Sequence, residues 1–208
     1  MTGVQTCALP IYLYGVNILD ESLSDEVVDK INRTIPYKAA DGSFTDERRV
    51  YADYYIAPRV TFLDRQEIIT RLAEQHSVDY YTYTAYKLGK AHNCGRVDYY
   101  EEMPEVFAHS KVNLNISLRS IRTGIPLRAM DIMGAGGFLL TNYQADMFRH
   151  FEPGKHFDYY TSVEEAVDKA DYYIKHEDER SRIAAAAYEE MKNGHTYLAR
   201  LEEVFAQL

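Results

Sequence analysis

The stretch KVNLNISLRSIRTGIPLRAMDIMGAGGFLLT, Lys111 to Thr141, decides the fold. Its first part predicts a strand from Val112 to about Ser117. PLRAMDIMGA then has helical character, with Pro126 suited to a first turn, where a missing N–H is harmless. GFLLT, Gly137 to Thr141, is short, apolar and β-like. Two such strands joined through a helix make a βαβ unit, and its strands run parallel. GAGG, Gly134 to Gly137, follows a helix and does not open one, so it is no GxGxxG phosphate cradle. Helix termination and close helix-to-sheet packing explain it better.

The same alternation extends outward on both sides. LDRQEIITRLAEQ predicts a helix with Asp64 as N-cap, and SVDYYTYT a β-rich run. YEEMPEVFAHS is a short helix ahead of the strand. After GFLLT, the segment QADMFRHF is helical and HFDYYT is a strand. SVEEAVDKADYYIKH is a helix with apolar positions at Val163, Ala166, Val167, Ala170 and Tyr173. Two closing helices follow, the first carrying Ala184 to Ala187, good helix formers. The fold class is α/β, a Rossmann-like parallel sheet flanked by helices. Residues 12–58 are polar and mixed, with one amphipathic helix capped by Ser24 or Asp20. They are expected to be the helical remnant of a missing N-terminal domain, with the Rossmann-like domain at 59–208.

Met1 to Ile11, MTGVQTCALPI, is uncharged and lacks the basic start and apolar core of a signal peptide. It resembles the conceptual translation of a common sequencing adapter. It is therefore set aside as artefactual, with the expectation that natural upstream sequence is missing.

Composition narrows the function. A chain of 208 residues, 46% hydrophobic and 26% charged, is that of an ordinary globular protein. Its net charge of -9 is spread along the chain and argues against nucleic acid or an anionic membrane as partner. No stretch reaches the roughly 18 uncharged apolar residues of a membrane span. The 19 tyrosines come partly in pairs, such as Tyr54-Tyr55 and Tyr99-Tyr100. They are read as core and amphipathic surface ahead of a sugar-stacking platform. Outside the first eleven residues the sole cysteine is Cys94, in the turn-like HNCGR, with no obvious activating base. It forms no intramolecular disulfide and suits a reducing, cytoplasmic setting. The histidines lack ligand spacing, so no metal and no other cofactor is expected.

In an open parallel sheet, ligands bind beyond the carboxyl ends of the strands, near helix N-termini. That rule selects SLRSIRTGIP, Ser117 to Pro126, with Arg119, Arg122 and Gly124. Arginine suits phosphate, a helix N-terminus adds positive potential, and glycine admits an anion close to the backbone. Asp131, two turns further on, can accept hydrogen bonds from the vicinal hydroxyls of a ribose. Arg128 stands one turn before it. The plain alternative for these two is an i,i+3 salt bridge on a solvated helix face. The region around Tyr99 and Tyr100 is the second loop the rule selects.

At these residues the chain resembles the C-terminal domain of GT-B glycosyltransferases, and more narrowly the CgeB-like, spore-maturation-protein type. The resemblance covers about Arg59 to Leu208. It is carried by VDYYEEMPEVFAHSKVNLNISLRSIRTGIPLRAMDIMGAGGFLLTNYQADM, YYIKHEDERSRIA and HTYLARLEEV. It implies a nucleotide-diphosphate-sugar donor, with UDP the expected nucleotide, no metal, an acceptor of unknown kind, and an active-site cleft shared with an N-terminal domain. The full-length protein would be a hexosyltransferase-like enzyme, the present chain alone inactive. In a Glu-x7-Glu motif at this place, the ribose-binding acid matches Asp131. The first acid falls on Thr123, which has no carboxylate, and Gly124 matches the glycine after it. Arg128 and Arg119 are then expected to neutralise the diphosphate, aided by N–H groups of Gly124 and Ile125, with Tyr99 and Tyr100 near the base. A non-catalytic nucleotide- or sugar-binding module is the rival reading, favoured by Thr123. An NAD-dependent enzyme is disfavoured by the missing GxGxxG.

Overall fold

The computed structural model describes residues 23–37, 46–84, 86–121 and 123–206. The adapter-like segment, Asp20 and Arg122 lie outside them. Helix α1 is Asp25–Thr34, and Ser24 caps it by accepting from the N–H of Val27. Helix α2, Glu47–Val50, passes into a π-helical segment, Tyr51–Ile56, and then into α3, Ala57–Gln75. The strands and helices of the α/β layer follow. They are β1 (Asp79–Tyr80), β2 (His92–Asn93), α4 (Met103–His109), β3 (Asn113–Asn115), α5 (Leu127–Gly134) and β4 (Leu139–Asn142). The remainder are α6 (Met147–His150), β5 (Asp158–Tyr160), α7 (Val163–Lys175), α8 (Glu177–Gly194) and α9 (Tyr197–Phe205).

The described strands form two small parallel sheets. One pairs β1 with β2, and the other has the order β3-β4-β5. Alternation along β4 sends Leu139 and Leu140 to opposite sides, each into its own apolar cluster. On one side Leu140, Phe138 and Tyr160 pack with Ile68 and Leu72 of α3 and with the buried stripe of α7. That stripe is Val163, Ala166, Val167, Ala170 and Tyr173, the set expected from its period. On the other side Leu139 meets Phe107 of α4, Ala129, Ile132 and Met133 of α5, Met147 and Ala187. The outcome is a three-layer α/β arrangement, mixed and parallel as the alternation required.

GAGG closes α5 as a Schellman motif. Gly136 adopts φ +77°, its N–H reaches the Met133 carbonyl (3.1 Å), and the Gly137 N–H reaches Ile132 (2.9 Å). Other expectations need correcting. Asp64 is not an N-cap but lies inside α3, which begins seven residues earlier at Ala57. Pro126 is the N-cap of α5, not its first turn. QADMFRHF supplies helix only over Met147–His150. The continuous helical run from Glu47 to Gln75 crosses the expected boundary at 58/59.

Candidate functional site

The carboxyl ends of β3 and β4 are joined by buried polar side chains. Asn115 donates to the hydroxyls of Ser117 and Thr141 (both 2.9 Å), and Asn142 accepts the N–H of Ser117 (2.9 Å). Each bond satisfies a group that burial would otherwise penalise. The chain then leaves β3 under the control of α3. Arg65 donates to the Ile116 carbonyl (2.6 Å), and Thr61 Oγ1 accepts the Arg119 N–H (3.1 Å). The Arg119 guanidinium grips Asp64 Oδ2 through Nε (2.8 Å) and Nη2 (2.6 Å). Its side chain is 5% exposed. A guanidinium so placed fixes where the loop starts.

Arg128 and Asp131 both lie on α5 and are half-buried. They are not ion-paired with each other among the described residues, which removes the plain i,i+3 alternative. Asp131 Oδ2 instead accepts the hydroxyl of Tyr99 at 2.7 Å. That bond, with some burial, pushes the Tyr99 phenol above its ordinary pKa. The guanidinium of Arg128 lies 5.8 Å from the ring centre of Tyr99 and 5.4 Å from that of Phe107. Its Nη1 is buried and has no hydrogen-bond partner among the described residues. A cationic donor held between two aromatic faces and left unsatisfied is expensive unless a ligand completes it. Tyr100 is 84% exposed and meets Tyr99 edge-on, 5.1 Å between ring centres.

The structure thus brings Tyr99, Tyr100, Arg128 and Asp131 together. Thr123 and Gly124 lie exposed on the preceding loop, and Gly124 takes φ +90° with open space where a Cβ would stand. Its N–H, expected to face phosphate, donates to Asp146 Oδ2 at 2.6 Å. Asp146 is in turn paired with Arg149 (3.1 Å). The side chain of Ile125 packs against the α4–α5 cluster. Sequence reasoning missed Asp64 as the partner of Arg119 and Asp146 as the partner of Gly124, because neither contact is local. Two surface grooves, one around His176 and one lined by Lys111, Arg180 and Tyr188, contain none of the candidate residues.

Small parallel sheets flanked by helices, with Arg128 and Asp131 on the helix after a strand-end loop, make a mixed α/β domain compatible with a Rossmann-like arrangement. The chain belongs to the glycosyl transferase-like family, whose model matches residues 63–206. The match takes in the strand-end loop, α5 and the tyrosine pair, and it supports a role in sugar transfer. None of the curated proteins matches the chain. No helix among the described residues is long and apolar enough to cross a membrane.

Proposed function

We propose that the chain is the donor-binding domain of a GT-B glycosyltransferase of the CgeB-like type. It takes a nucleotide-diphosphate sugar, with UDP as the nucleotide, in a cytoplasmic, hexosyltransferase-like enzyme whose acceptor is held by another domain. Asp131 accepts hydrogen bonds from the ribose hydroxyls, and Tyr99, already bonded to it, orients the carboxylate. Tyr100 offers an exposed face to the base. Arg128 completes its free donor on the diphosphate. As the bond from the anomeric carbon to the diphosphate oxygen breaks, negative charge grows on the leaving group. A fixed guanidinium stabilises that charge with little reorganisation. Arg119 contributes by holding the loop through Asp64, and Thr123, Gly124 and Ile125 form the loop wall. The observation that carries the reading is the buried, unpartnered Nη1 of Arg128 one turn from Asp131.

Calorimetric titration of the chain with UDP, GDP and UDP-sugars tests it. Loss of a hydrogen bond to a charged group is worth about 1.5–3 kcal/mol, so Asp131→Ala and Arg128→Gln should each weaken one nucleotide at least about tenfold. Equal binding by parent and both variants would sink the assignment. A non-catalytic nucleotide-binding module is supported by Thr123 in the place of an acid. It predicts the same binding but no turnover once the acceptor domain is supplied.

A further inference from the structure

The geometry points to a second site, for a tetrahedral transition-metal ion of the zinc class, at Asp79, His92 and Cys94. Strands β1 and β2 run parallel with Asp79 opposite His92. The His92 N–H reaches the Val78 carbonyl (2.8 Å) and the Cys94 N–H reaches that of Tyr80 (2.9 Å). Alternation then puts Asp79 and Tyr81 on the same face as His92 and Cys94. Tyr80 and Asn93, the intervening residues, bond instead to the carbonyls of Tyr86 and Thr84 in the connecting segment. The backbone thus presents a carboxylate, an imidazole and a thiol side by side.

Their spacing is that of a ligand set. Cys94 Sγ is 3.4 Å from His92 Nδ1, which is 3.3 Å from Asp79 Oδ1. All three ligand atoms lie within 4.8 Å of one another. Tetrahedral zinc with its usual bond lengths separates S from N by about 3.6 Å and N from O by about 3.4 Å. One nitrogen, Nδ1, faces both the sulfur and the carboxylate. A single cation placed between them would meet the nitrogen, the sulfur and the carboxylate oxygen at once. A nucleophilic Cys–His–Asp triad does not fit, because it needs one imidazole nitrogen for the thiol and the other for the carboxylate. Nor does structural pairing account for the cluster. The Asp79 and His92 side chains are 55% and 75% exposed, and such a pair adds little stability.

The mixed S, N, O set selects zinc, cobalt or a similar ion over magnesium or calcium. A thiolate and a carboxylate neutralise a divalent charge, and the thiol proton leaves to solvent as the metal–sulfur bond forms. Three protein ligands leave a fourth position for water or an anion. Bound metal would clamp β1 to β2 just ahead of the segment that leads to Tyr99. The HxC spacing on a strand was the available sequence signal. The turn-like composition of HNCGR hides it.

The test is a titration of the full chain with Co2+ in a Cys7→Ser background, which leaves Cys94 as the sole thiol. One equivalent should generate a thiolate-to-cobalt charge-transfer band that Zn2+ then abolishes by displacement. Cys94→Ser should remove the band. His92→Ala and Asp79→Asn should each weaken binding at least about tenfold, the lower bound seen when even outer-shell partners of a metal are lost. Both substitutions are at exposed positions, and circular dichroism confirms the fold. Absence of the band in the parent overturns the proposal. Unchanged affinity in both His92→Ala and Asp79→Asn does so too, since a lone thiol would then be the binder. Nucleotide binding is independent of either result.

Discussion

Alanine substitution across GAGG should separate three physical effects within four residues. A Cβ on Gly137 would lie 2.7 Å from the Phe107 carbonyl oxygen, 2.7 Å from Asn113 Nδ2 and 3.2 Å from the Ile132 carbonyl oxygen. Two of these are backbone atoms and cannot rotate away. Asn113 is equally fixed, since Nδ2 donates to the carbonyls of Phe107 (3.0 Å) and Phe138 (3.2 Å). An ordinary carbon–oxygen contact needs about 3.3–3.6 Å, so α4 must retreat from Gly137 and the start of β4 by about 0.6 Å or more. Overpacking of this kind costs about 1–3 kcal/mol, and weakening the Asn113 bonds adds about 1. The entropy that Gly→Ala removes from the unfolded chain returns about 0.4–1 kcal/mol, too little to change the sign. Gly137→Ala should therefore destabilise by about 2–3 kcal/mol. Gly136→Ala meets nothing within 4 Å, and its φ of +77° should cost about 1–2 kcal/mol. Gly134 is helical, with only Met191 Cε nearby at 3.9 Å, so alanine there should stabilise by up to about 1 kcal/mol. Urea unfolding followed by far-ultraviolet circular dichroism gives the order directly. If Gly137→Ala proves no less stable than Gly136→Ala, close helix-to-sheet approach is the wrong account of GAGG.

Arg119→Met keeps volume but strips Asp64 of its guanidinium. Since Asp64 is 15% exposed, the loss should fall near the low end for a broken buried pair, about 3 kcal/mol, read in the same urea experiment. Burial, and the nearby Lys155, hold the buried His156 imidazole below its ordinary pKa, and its neutral Nδ1 accepts the Glu152 N–H (3.1 Å). The unfolded chain thus binds the proton first as pH falls through about 6.5, so this stability is present above that value and lost below it. His156→Gln should flatten the fall in urea midpoint between neutral and acidic pH, and an unchanged slope would exclude His156 as its source.

What was legible in the sequence follows from how far each signal reaches. The stripe of α7 and the apolar run of β4 are local and periodic, and they appear where expected. Strand β2 is two residues long and polar, too short for a period of two to show. Asp64 resembles an N-cap because a polar residue precedes an apolar run. The π-helical turn before Pro58 keeps the helix continuous instead, with the Ala57 N–H reaching Ala52, five residues back. A wider turn relieves the crowding that proline causes in a helix interior. In the site, Arg128 and Asp131 are one helical turn apart and could be read together. The Tyr99–Asp131 bond spans 32 residues, and the Arg119–Asp64 bond 55. Contacts at such separation arise from tertiary folding and leave no periodic trace.

Helix α3 ties two parts of the chain into one mechanical unit. Its π-helical lead-in carries Tyr51, wholly buried and bonded to Asn32 and the Ile35 carbonyl, while Thr61, Asp64 and Arg65 grip the strand-end loop. The loop therefore cannot swing outward without unwinding or displacing that rod. Amide protons of α3 and of residues 116–119 should exchange with solvent together, as one cooperative opening. Any force applied near Tyr51 would be felt some twenty ångströms away, at about 1.5 Å per residue along the helix, where the loop begins.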